Sequence, residues 1–150
     1  MIVYTGLEVI FAAIIAAFMA QLLKFVFYYA NNKKVNFKIF AETGGMPSSH
    51  SAFVIGLATS VAIIDGYKSV EFAIALGFAL VVMYDAAGLR RSAGRMATVL
   101  NKIVDDFYSG NESHTSERLI ELLGHTPIEV FMGGLLGAIM ALGYHALLIR

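Results

Sequence analysis

The 150-residue chain contains no cysteine. Disulfides, thiol catalysis and cysteine-ligated metal are thereby excluded, while the compartment stays open. Charge is also scarce: 15% of the residues are Asp, Glu, Lys or Arg, and the two signs cancel to a formal net charge of zero. That balance gives no reason to expect nucleic acid as a partner. There is no long Pro-, Ser- or charge-rich linker and no internal repeat, so residues 1–150 read as a single domain.

What the chain has in abundance is apolar surface, with 58% hydrophobic residues and a mean hydropathy of +0.71. A water-soluble domain does not carry that composition, and an integral membrane protein does. About 20 apolar residues span a bilayer core. Four runs meet or approach this length: Thr5 to Tyr29, Ser49 to Ile64, Val70 to Ala87 and Pro127 to Ile149. The second is short and calls for a tilted neighbour or a thinned bilayer. The first begins almost at Met1 without a basic leader, so it is expected to stay as an anchor and not be cleaved. The fold class expected is all-α: an integral membrane helical bundle of about four transmembrane helices. From Asp85 to Ile103, apolar residues recur at three- and four-residue steps (Leu89, Ala93, Met96, Leu100, Ile103), which predicts an amphipathic helical extension of the third span.

Basic residues set the expected orientation. Lys33, Lys34 and Lys38 lie between the first two spans, and Arg90, Arg91, Arg95, Lys102 and Arg118 between the last two, while the opposite side holds little besides Lys68 and Arg150. Both long loops and the amphipathic extension are therefore expected in the cytoplasm, on a multi-pass protein of the cell membrane. The stretch Asp105 to Thr115 reads as a loop, followed by a short helix from Glu117 to Leu123 that Gly124 would end. In the last span Gly133, Gly137 and Ala141 form a small-residue seam, suited to packing within the chain or to a homodimer.

Two segments carry chemistry. Gly44-Gly45-Met46-Pro47-Ser48-Ser49-His50-Ser51 combines a turn, a helix cap at Ser48 or Ser49 and a histidine at the start of an apolar helix, whose first amides are anion donors. Gly124-His125-Thr126-Pro127-Ile128-Glu129 places Thr126, Pro127 and Glu129 as N-cap, first helical residue and capping-box acid. The cap accounts for those three residues and leaves His125 over, at a spacing that lets Glu129 orient its ring. A histidine so oriented suits a nucleophile or base. His50 and His125 share one expected face, where one can attack a phosphate and the other protonate the leaving oxygen. Lys38, Arg90, Arg91 and Arg95 are the cations at hand, and two successive arginines equally suit a headgroup anchor. Asp85 closes an apolar span and is expected to pair with an arginine or to face a polar cavity. His114 and His145 lie away from this site and read as structural.

With these two segments and a third, Tyr84-Asp85-Ala86-Ala87-Gly88-Leu89-Arg90-Arg91, the chain resembles the divergent branch of the type 2 phosphatidic acid phosphatase superfamily, relatives of the vanadium-dependent haloperoxidases. The resemblance implies a single transmembrane phosphatase-like domain acting on a lipid phosphate, with no metal and no cofactor. By position it implies His125 as nucleophile, Glu129 as its partner and His50 as general acid, with Ser48 and the amides around Ser49 cradling the phosphate. Lys38, Arg90 and Arg91 are the implied substrate clamps. Ser49 stands where the parent motif has glycine, Glu129 where it has aspartate, and Arg118 is one residue out of the parent spacing. The substrate expected is a phosphatidylglycerophosphate or phosphatidic acid type, its tails entering sideways between spans. Two other readings stand beside this one: a noncatalytic protein binding anionic headgroups or a partner, and a metal-assisted phosphatase with Asp85 and Glu129 as ligands.

Overall fold

A computed structural model describes residues 6–35, 45–108 and 125–148, with the side chains of 89–91 and 108 left aside. All the regular elements in these segments are helices: α1 (Gly6–Asn32), α2 (Ser49–Ile64), α3 (Val70–Ala87), α4 (Leu89–Tyr108) and α5 (Pro127–Leu148). The expected Glu117 to Leu123 helix lies outside the described residues, as do Lys38, His114 and Arg118.

Local chemistry sets the boundaries. Ser48 and Ser69, both in extended conformation, accept the backbone N–H of Ser51 and Phe72 and so start α2 and α3. Gly88 lies between α3 and α4; its N–H donates to Tyr84 O and its carbonyl accepts from Ser92, so the two helices run on as one 38-residue apolar-to-polar rod. Among the described residues three stretches are long and apolar enough to cross a membrane: Gly6–Asn32, Val70–Phe107 and Pro127–Leu148. The 16 residues of α2 reach only about 24 Å at 1.5 Å per residue, short of the bilayer core.

That short helix is the hub, packed against α1, α3 and α5. The contacts are made by small residues. A β-carbon at Gly133 would overlap the Ser48 carbonyl, and one at Gly137 would overlap Ala52 O. Gly56 of α2 meets Ala16 of α1 in the same manner, its would-be β-carbon 3.2 Å from the alanine methyl. Ala12, Ala13, Ala16, Ala20, Ala52, Ala79 and Ala141 are fully buried, whereas Phe11, Phe18, Ile74, Phe78, Phe131 and Leu142 are exposed. Small side chains inside and large apolar ones outside is the arrangement expected when the surrounding solvent is lipid. Of the two uses open to the Gly133, Gly137 and Ala141 seam, packing within the chain is the one this structure displays. On α4, Met96, Leu100 and Ile103 are exposed while Ala97 and Asn101 are buried.

Candidate phosphate site

The head of α2, the start of α5 and the end of α3 meet at one place, and two backbone hydrogen bonds hold them there. The Ser48 N–H donates to Glu129 O at 3.1 Å, and the His125 N–H donates to Ala86 O at 3.0 Å. The three sequence blocks, 77 residues apart from Ser48 to His125, are thus joined through main chain. Gly133 makes the first of these joints possible, since no side chain fits between α5 and the Ser48 backbone.

His125 is buried, with 3% exposure, and its Nδ1 lies 3.2 Å from Glu129 Oε2. The same carboxylate oxygen accepts the Thr126 N–H at 3.0 Å, while the Thr126 hydroxyl accepts the Glu129 N–H at 3.3 Å. The capping box therefore also serves the histidine: the backbone cap fixes the carboxylate, and the carboxylate fixes the ring. A proton held on Nδ1 by Glu129 leaves the lone pair of a neutral imidazole on Nε2. His50, exposed in the first turn of α2, has its ring centroid 6.4 Å from that of His125, with the planes at 62°.

Ser48 is fully buried, and its hydroxyl is engaged by the Ser51 N–H at 3.4 Å and the Ser51 hydroxyl at 3.1 Å. It caps the helix from inside the bundle. Ser49, half-buried, lines an open groove together with His50. Arg90 and Arg91 fall in the first turn of α4, directly after the chain segment that holds His125, but their side chains are outside the described residues. Among the described residues no group of three or more His, Asp or Glu side chains is placed to hold a metal ion. Asp85 is half-buried in the last turn of α3.

Two polar residues of α1 were missed from sequence. Lys24 is buried, with 7% exposure, and its aliphatic stem runs under the turn that leads to Ser48: a β-carbon on Gly45 would lie 3.6 Å from its Cδ. Gly45 itself has φ of +81°, a left-handed conformation that glycine adopts freely. One turn earlier on α1, Gln21 lines the same groove as Ser49 and His50. The available signal was an ionisable residue inside an apolar run, which marks function by default.

The Divergent PAP2 family matches residues 6–140, nearly the whole chain. This chain belongs to the Divergent PAP2 family. It is 42% identical over 141 residues to the Bacillus subtilis (strain 168) protein named "Uncharacterized membrane protein YuiD", the match covering 87% of this chain and 89% of that one. No solved structure gives a significant match. Family membership together with the three membrane-length apolar helices among the described residues makes this a helical membrane protein of that family. The match takes in all three blocks that meet at the site.

Proposed function

We propose that this divergent PAP2 protein is a multi-pass membrane phosphatase that hydrolyses a lipid phosphomonoester through a phosphohistidine at His125. The observation that carries the reading is the pairing of His125 Nδ1 with Glu129 Oε2 at 3.2 Å, with the His50 ring beside it at 6.4 Å. A buried imidazole whose tautomer is held by a carboxylate is a prepared nucleophile. A second imidazole, open to solvent, is placed to move protons.

His125 Nε2 donates its lone pair to phosphorus, and the bond from phosphorus to the lipid oxygen breaks. His50, protonated, gives its proton to that oxygen and the lipid alcohol departs. Water then attacks the phosphohistidine, His50 takes the water proton, and inorganic phosphate leaves with His125 restored. Glu129 balances the positive charge that His125 carries in between. The first amides of α2 near Ser49, Lys24 and the arginines Arg90 and Arg91 supply donors for the nonbridging oxygens. Lys38 is the further cation that the family resemblance offers.

The excess of Lys and Arg in the two long loops supports a cytoplasmic site and thus a substrate of the inner leaflet, of the phosphatidylglycerophosphate or phosphatidic acid type. The test is to quench the purified protein with acid-free denaturant during turnover of a radiolabelled lipid phosphate. A base-stable, acid-labile label on the His125 peptide is expected. Label on another residue, or none while phosphate is released, overturns the mechanism.

A further inference from the structure

α1 and α3 both pack on α2 without close backbone approach to each other, which leaves a slot between them with α2 as its floor. Its walls are Ile14, Ala17 and Phe18 of α1 and Phe78 and Val82 of α3, and Phe53 and Val54 of α2 form the floor. The volume is about 540 Å³, within the roughly 300–1,000 Å³ of ordinary ligand clefts. Phe18 and Phe78 at the rims are 60% and 53% exposed, so the slot opens sideways, to the side where large apolar side chains face lipid.

The slot is polar at one end only, where Gln21, Ser49 and His50 line it. His50 belongs to the histidine pair, its ring centroid 6.4 Å from that of His125, so the polar end of the slot adjoins the candidate phosphate site. Gln21 Oε1 is buried and has no hydrogen-bond partner among the described residues. A buried polar atom of this kind suits a ligand that brings a hydroxyl or amide donor to it.

We infer that this slot holds a hydrocarbon chain of the lipid whose phosphate lies at His50 and His125, and that the lipid enters laterally between α1 and α3. The inference rests on the phosphatase reading for the identity of the head group. It adds the place of the chain and its consequence: the apolar contact selects long-chain phosphates over water-soluble ones.

The chain contains no tryptophan, so a single introduced indole reports without background. The experiment places Phe78→Trp at the slot rim, and in a second protein Phe131→Trp on the exposed face of α5, both in a His125→Ala background that prevents turnover. Each is reconstituted with a small mole fraction of phosphatidic acid brominated on one chain, or with the same fraction of equally brominated phosphatidylcholine. Quenching at Phe78→Trp is expected to be at least twofold greater with the phosphatidic acid, with no such excess at Phe131→Trp. Adding Ala17→Phe, which fills the slot, should remove the excess.

Equal quenching by the two lipids at Phe78→Trp overturns the slot, even where the native protein releases lipid phosphate normally. Excess quenching with no phosphate release by the native protein supports the slot and overturns the phosphatase reading. Excess quenching that survives Ala17→Phe overturns the assignment of the chain to this slot.

Discussion

Glu129 Oε2 lies 3.2 Å from His125 Nδ1 and 3.0 Å from the Thr126 amide nitrogen, one oxygen serving a ring and a backbone donor together. The pairing of histidine with carboxylate is therefore as rigid as the start of the helix that carries it. Glutamine also satisfies a capping box, so Glu129→Gln removes the charge while leaving the helix start in place. We expect kcat for lipid phosphate release to fall roughly 10²- to 10⁴-fold, by analogy with other carboxylate-oriented histidines. Thermal unfolding in detergent should stay within a few degrees of the native protein. A fall in Tm to match the fall in rate would assign Glu129 to the cap alone.

His50 as general acid matters in proportion to how poor the leaving group is. For a lipid alcohol, His50→Gln should lower kcat about 10²- to 10⁴-fold. For an aryl phosphate, whose phenolate departs without help, the loss should be at least tenfold smaller. Equal losses with both substrates would give His50 a binding role in place of proton transfer.

Lys24 of α1 lies buried under the Gly45 turn. A hydrogen bond to a charged group contributes about 1.5–3 kcal/mol, so Lys24→Met should cost roughly 10- to 100-fold in kcat/KM for a lipid phosphate. Inhibition by orthovanadate should weaken in parallel, because vanadate presents the same oxygens. Unchanged vanadate affinity in Lys24→Met would separate Lys24 from the phosphate site.

The helices were largely legible, and for a physical reason. Ser48 announces the start of α2 and Thr126 with Pro127 that of α5, and the apolar runs have no other stable state in lipid; the Ser69 cap of α3 came from the structure alone. The pairing of His125 with Glu129 was legible too, since both lie within one turn of one cap. Two things were not. The use of Gly133 and Gly137 depended on which helix would face them, and a single sequence does not state that Ser48 and Ala52 would fill the place of their side chains. Nor does the sequence place Lys24, a single basic residue inside an apolar run; only the fold brings the Gly45 turn over its stem.

The α2–α5 seam gives a stability prediction with an internal control. Gly137→Ala would drive a methyl into the Ala52 carbonyl, and overpacking of this kind costs about 1–3 kcal/mol. Gly143→Ala meets nothing within 4 Å. Thermal unfolding in detergent should show a clear loss for the first and none for the second.

Orientation is open to a direct check because the native chain has no cysteine. Lys68→Cys and Asn111→Cys, each alone, should react on opposite sides of the membrane, with position 68 labelled by an impermeant maleimide from outside intact cells and position 111 shielded until the membrane is opened. Labelling of position 111 from outside would put the two-histidine site on the outer face.

The most direct measurement is release of inorganic phosphate from phosphatidic acid and phosphatidylglycerophosphate by purified native protein and by His125→Ala, in the same detergent and at matched folding. Release by the native protein, lowered at least 10³-fold in His125→Ala, is the predicted result. Equal release by the two proteins would contradict a phosphohistidine at His125.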